Sequence, residues 1–159
     1  QYMHRKTDAE LADLYQPILR EHGIEVSDEM AGRAAGIMKE RATFITDLWD
    51  LTSFFFTAPT EYEEKQAKKY WKGQNPAILR ELRGVLEGIG DFSMENTERT
   101  VHAWIEEKGY GMGQVMNTLR LALVGAGKGP GMYDVTSFIG KDECLKRIDN
   151  LLTNLKPAE

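Results

Sequence analysis

The sequence predicts an all-α protein, and three observations predict it. Apolar residues recur at three- and four-residue spacing in one segment after another. Helix-capping side chains stand ahead of several of those segments at Thr7, Ser27, Asn75 and Ser93. Glycines follow others at Gly23, Gly88 or Gly90, and Gly109.

Taken in order, Thr7 and Glu10 have the spacing of a capping box ahead of Leu11, Leu14, Tyr15, Ile18 and Leu19. Pro17 is expected to kink or split that helix, and Gly23 to stop it. Ser27 opens a helix whose apolar side includes Met30, Ala34, Ile37 and Met38. Phe44, Leu48, Leu51 and Phe55 continue at helical spacing, which puts the run Phe54, Phe55 and Phe56 near a helix end, as a seam between helices.

Residues 57–73 are more polar, with a turn at Pro59 and a short charged helix from Glu61 to Lys69. This segment is the expected boundary between two small helical subdomains, residues 1–70 and 71–159. Asn75 followed by Pro76 predicts a helix start, a capping side chain and then proline at the first helical position. That helix carries Ile78, Leu79, Leu82, Val85 and Leu86. Ser93 opens the next, with Val101, Trp104 and Ile105 inward, and Gly109 closes it. A further helix runs from about Gly113 to Val124. Beyond a glycine-rich loop lie a short helix near 133–138 and a last one over 141–155, with Leu145, Ile148, Leu151 and Leu152 as its buried stripe.

Composition narrows the function classes. An apolar fraction of 42% with 28% charged residues is ordinary for a globular domain, and no apolar run approaches the ~20 residues a membrane helix needs. The formal charge of −5 argues against a sequence-independent nucleic-acid coat but leaves room for a local RNA site. Cys144 is the single cysteine, which excludes an internal disulfide and fits a reducing, cytoplasmic setting; its neighbours give it a helical position as an inert thiol. Gln1 in place of an initiator Met reads as an excision point, so the chain is expected to be a fragment of something longer.

Residues 119–132, LRLALVGAGKGPGM, combine a short apolar run, one embedded arginine and a loop with four glycines. The wider window 108–133 contains three positive charges and no Asp or Glu. A phosphate loop is excluded on detail, because Lys128 is followed by Gly129 and not Ser or Thr. A dinucleotide fold is excluded because helical patterns, not a strand–helix–strand unit, surround the glycines. Two readings remain open: a tight helix connection, or a binding loop. The loop's length, its cation without a carboxylate, and Arg120 among Leu119, Leu121, Ala122 and Leu123 favour binding. A planar guanidinium beside exposed backbone N–H groups is suited to reading unstacked bases.

The block LRLALVGAGKGPGMYDV, followed by IGKDECLKRID, resembles the signature of the anticodon-binding region of bacterial-type glutamyl-tRNA synthetases. That family's pattern is a Leu-Arg pair, an Ala-Leu-(Val/Thr)-Gly step, a proline-containing loop, an acidic residue, and Ile/Leu-Gly-Lys before the final helix. The likeness extends to Trp104-Ile105-Glu106-Glu107, Gly111-Met112-Gly113, Glu40-Arg41-Ala42-Thr43-Phe44 and Gln1-Tyr2-Met3. It implies two α-helical subdomains forming a cage around the anticodon loop of a tRNA. It further implies that Arg120 hydrogen-bonds an anticodon base or the adjoining phosphate. Gly129, Pro130 and Met132 would line the pocket, Pro130 and Met132 by apolar contact, and Arg41 would contact another base. Lys128 is added on electrostatic grounds as a contact to the RNA backbone. Two departures stand out: Thr118 replaces the proline of many relatives, and Gly129 replaces a hydroxyl residue found in several.

The resemblance implies a cytoplasmic, monomeric parent that activates glutamate with ATP and magnesium and esterifies its tRNA. The HIGH-type and KMSKS-type motifs of that chemistry are not in these residues. No catalytic residue, cofactor, metal, DNA or membrane role is therefore expected of the fragment itself. His4, His22 and His102 share no metal-ligand spacing; Asp47, Asp50, Glu106 and Glu107 read as solvated faces; Trp49, Trp71 and Trp104 read as core. The alternative is a helical protein-interaction module whose glycine loop is only a connector.

Overall fold

The computed structural model describes residues 5–158, so the expectations at Gln1, Tyr2, Met3 and His4 fall outside the described part. Those residues form eight α-helices: α1 (Asp8–Glu21), α2 (Asp28–Met38), α3 (Asp47–Phe56), α4 (Glu64–Tyr70), α5 (Asn75–Glu87), α6 (Met94–Lys108), α7 (Met112–Leu123) and α8 (Met132–Asn154). A 3-10 turn, Lys39–Arg41, follows α2. The chain divides into two compact units, Gln1–Thr57 and Ala58–Glu159.

In the first unit the capping box forms: Glu10 N–H donates to Thr7 Oγ1 at 3.2 Å and Thr7 N–H donates to Glu10 Oε1 at 2.8 Å. Those bonds hold the Glu10 carboxyl below its ordinary pKa. Contrary to expectation, Pro17 does not break α1, which runs unbroken through it. Gly23 ends the helix, with Ile24 N–H returning to Leu19 O at 2.9 Å. Ser27 caps α2 as expected. Small residues then let α1 and α2 approach closely: Ala31, Ala34 and Ala35 are fully buried, and a Cβ on Gly32 would collide with the backbone of Asp8. Leu11, Tyr15 and Leu19 pack with Leu48 of α3 in the core. Tyr15 anchors α3 through bonds to Thr52 Oγ1 (2.6 Å) and Leu48 O (3.2 Å), and burial pushes its phenol up to about 12.

Phe44 departs from the helical stripe assigned to it. α3 starts only at Asp47, and the Phe44 ring is 67% exposed. Phe55 is buried, while Phe54 and Phe56 are half-buried. Trp49 is half-buried and stacks on His22 with ring centroids 3.9 Å apart.

The second unit packs α5, α7 and α8 against one another, with α6 alongside. Its interior is built from Ile78, Leu79, Leu82 and Leu86 of α5, Val101 and Ile105 of α6, Val115, Leu119 and Leu121 of α7, and Val135, Ile148 and Leu151 of α8. Trp71 is buried and its indole N–H donates to Leu155 O at 2.7 Å, tying the start of the unit to its end. Asn75 is not the cap the sequence suggested. Its amide donates to Tyr70 O and accepts from Gln114 Nε2, so it links the entry of α5 to α7.

The unit boundary lies at Thr57, not after residue 70. The physical reason is local: α4 packs on α7, and the segment before it is fastened to the glycine loop, so both belong to the second unit. Within α8, Gly140 takes φ 85°, ψ 166°, separating the two helical stretches that the sequence predicted. Lys141, next in sequence, donates to the carbonyls of Glu87 (3.2 Å) and Ile89 (2.8 Å) at the carboxyl end of α5. The Gly-Lys pair thus bends the chain and clamps a neighbouring helix end.

Candidate functional site

Helix α7 places Arg120 in its last turn, with Leu119, Leu121, Ala122 and Leu123 buried around it and the arginine itself half-buried. The helix then tightens and stops. Val124 N–H donates to Arg120 O at 2.8 Å, and Gly125 N–H donates to Leu121 O at 3.0 Å. Gly125 has φ 80°, and a Cβ there would sit 2.8 Å from Pro59 Cβ and 2.9 Å from Glu61 O. Both the backbone angle and the close approach require glycine.

From Gly125 the loop is held by the segment ahead of α4. Glu63 N–H donates to Gly125 O at 2.7 Å, and Gly127 N–H donates to Glu63 Oε1 at 3.3 Å. Gln66 lies so close to Gly127 that a Cβ there would overlap its amide. On the far side Gly131 O accepts from Asp134 N–H at 3.1 Å, opening α8. The loop is therefore pinned at both ends, and Lys128 stands exposed between them.

One premise is corrected by this geometry. The window 108–133 has no carboxylate in sequence, but the fold brings Glu63 against Gly127. Its Oε1 is occupied by a loop N–H, so a charge that would oppose a polyanion is instead spent on loop structure.

A second correction concerns Pro130 and Met132. Both are buried, Met132 to 4% exposure, so their side chains pack inward and do not offer the apolar contact expected of them. They shape the loop from beneath. Gly129 is half-buried with φ 138°, and Gly131 is exposed. Arg41 lies in the other unit, exposed at the end of the 3-10 turn; Ala42, next to it, is buried and anchors the turn to the core.

A residue that the sequence reading passed over supports the whole arrangement. Arg147 is 2% exposed, donates from Nε to Glu143 Oε2 at 2.8 Å, and donates from Nη1 to Leu123 O at 2.8 Å. A buried guanidinium thus caps the carboxyl end of the helix that carries Arg120, where the helix dipole favours a cation. The signal was present: Cys144, Arg147, Ile148 and Leu151 share one face, so a charged residue sits within a buried stripe. The stripe itself is offset from the one expected, since Leu145 and Leu152 are only half-buried. Cys144 is fully buried and burial pushes its thiol up to about 12, so it stays protonated and unreactive.

Elsewhere, no group of three His, Cys, Asp or Glu side chains able to hold a metal is assembled among the described residues. No helix among them is long and apolar enough to cross a membrane.

Comparison with known proteins agrees with this architecture. The chain is 49% identical over 156 residues to a glutamate–tRNA ligase of Phocaeicola vulgatus, and 48% identical over 155 residues to that of Bacteroides fragilis. Each alignment covers 98% of this chain and 31% of the relative. A crystal structure of a glutamate–tRNA ligase from Elizabethkingia meningosepticum superposes with a TM-score of 0.92 at 39% identity, over 98% of this chain and 31% of that one. The chain therefore spans about a third of the length of these relatives, matching their C-terminal portion. A family profile described as an anticodon binding domain matches residues 10–152, which takes in α2 to α7 whole and nearly all of α1 and α8. The chain belongs to the anticodon binding domain family.

Proposed function

We propose that this chain recognises the anticodon loop of a tRNA as part of a glutamate–tRNA ligase. The observation that carries the reading is the end of α7. A half-buried arginine there adjoins a glycine loop pinned at both ends, with an exposed lysine at its crest, in a chain that matches an anticodon binding domain. Arg120 hydrogen-bonds a loop base or its phosphate, Lys128 neutralises the RNA backbone, and Gly129 lets that backbone approach. Arg41 supplies a further contact from the other unit. Pro130 and Met132 act from below, fixing the loop's course.

Recognition of this kind stacks unpaired bases and bonds their open edges, at ~1–3 kcal/mol for each stacked base. In the parent, contacts far from the chemistry are expressed as turnover by positioning the acceptor end of the tRNA. The ATP- and magnesium-dependent attachment of glutamate belongs, in this reading, to the part of the parent outside this chain. With no acidic or histidine cluster to hold magnesium among the described residues, we assign none of that chemistry here.

Gel-shift titration of the chain against tRNA of matched and altered anticodon tests the reading. Arg120→Ala is expected to cost about 1–3 kcal/mol and to erase discrimination between the two RNAs. Lys128→Ala is expected to weaken both equally and to flatten the salt dependence. A wild-type chain indifferent to tRNA would overturn the proposal and restore the protein-interaction reading.

A further inference from the structure

The most exposed large apolar side chain among the described residues is Phe44, at 67%, and nothing in the anticodon-loop geometry above uses it. Its helical spacing with Leu48 and Leu51 suits burial, but the chain turns it outward. The turn that does so is firmly built. Asp47 Oδ2 accepts from Thr43 N–H at 3.0 Å and from Phe44 N–H at 2.9 Å, while Asp47 N–H returns to Phe44 O at 3.0 Å. Ala42, 3% exposed, pins the segment from the other side. The exposed ring is therefore held on fixed backbone, so little backbone ordering remains to be done when a ligand meets it.

Its surroundings narrow what that ligand is. Arg41, three residues earlier, is exposed, and so are Thr43 and Thr46. The ring thus stands singly in polar company, not within a continuous apolar patch of the kind that docks protein. The nearest acidic side chain in the turn, Asp47, accepts two N–H groups with one oxygen, which offsets its charge toward an anion. A lone aromatic face beside a guanidinium suits an unpaired nucleobase with its phosphate: the ring takes the base and the cation takes the backbone.

We propose that Phe44 is a stacking platform for one unpaired base of the RNA, with Arg41 holding the adjoining phosphate. The inference rests on the anticodon-loop reading and adds to it a contact from the first unit. It also explains why an aromatic ring is kept in water by a turn that a polar residue would serve equally well.

The test uses RNA hairpins of the anticodon stem-loop carrying 2-aminopurine at each loop position in turn. Stacking quenches that base's fluorescence, so one position is expected to darken on binding the wild-type chain. Phe44→Ala is expected to lose that quench and about 5- to 150-fold in affinity, the share of one stacked base. Phe44→Trp is expected to keep both, and Phe44→Leu, apolar without a π face, to lose the quench. Because the ring is exposed, all three variants should unfold at wild-type denaturant concentrations. Unchanged quench and affinity in Phe44→Ala, or a fully active Phe44→Leu, would overturn this inference while leaving the anticodon reading in place. A wild-type chain that fails to bind any hairpin would overturn both.

Discussion

Replacing Arg147 by methionine removes a buried guanidinium while keeping much of its aliphatic volume, and so isolates the polar contribution to the end of α7. Two bonds are lost. The one to Leu123 O, 2.8 Å, leaves a carbonyl of a fully buried residue without that donor, at about 1–3 kcal/mol. The bond to Glu143, also 2.8 Å, matters less, because that carboxylate's side chain is 33% exposed and can rehydrate. Loss of a cation at a helix carboxyl end adds up to about 2 kcal/mol where partly buried. Against these stands the desolvation cost of the guanidinium, which methionine no longer bears. The net expectation is a loss of about 2–4 kcal/mol, in the range of breaking one partner from a buried pair. Urea unfolding followed by circular dichroism measures it, with the midpoint falling at unchanged slope. A methionine variant within about 0.5 kcal/mol of wild type would refute the claim that Arg147 holds α7 in place.

Gly125→Ala should cost about 2–5 kcal/mol, from left-handed backbone strain plus overlap with Pro59 and Glu61 O, whereas Gly23→Ala, at φ 76° with open space around it, should cost only about 1–2 kcal/mol. Equal losses in chemical denaturation would show that the packing at Gly125 is not tight. Arg83 hydrogen-bonds Asp149 and holds its carboxyl below the ordinary 3.8. The stabilisation is therefore fully present above that value and lost as pH falls through the lower, folded one. Accordingly, Asp149→Asn should be less stable than wild type at pH 7, with the gap closing below pH 3.8; a gap independent of pH would contradict the ion pair. Cys144, buried and protonated, should resist alkylation by iodoacetamide at pH 8 in the native chain and react on unfolding, as mass spectrometry would show.

Much of the helix framework was legible because its signals are local. The Thr7–Glu10 box, the Ser27 and Ser93 caps and the stop at Gly109 each involve residues three or four apart, so their hydrogen bonds depend little on the rest of the fold. Failures occurred where a distant partner outbid the local preference. Asn75 had the look of a cap, but Gln114 and Tyr70 O claim its amide. Pro17 carries a helix-breaking preference, yet the burial of Tyr15 and Leu19 on either side of it keeps α1 continuous. Phe44 fits an apolar stripe, but Asp47 captures the backbone N–H groups ahead of α3 and starts the helix after it.

The candidate site divides along the same line. Sequence alone determined that an arginine-bearing apolar helix gives way to glycine-rich backbone with a lysine in it, since that is a matter of residue order over 119–132. Only the tertiary structure decided that Glu63 and Pro59, some sixty residues earlier, hold that loop, that Pro130 and Met132 face inward, and that Arg147 caps α7 from another helix. The reason is physical: a local spacing states what a backbone segment prefers, whereas burial and long-range hydrogen bonds exist only once the helices have packed.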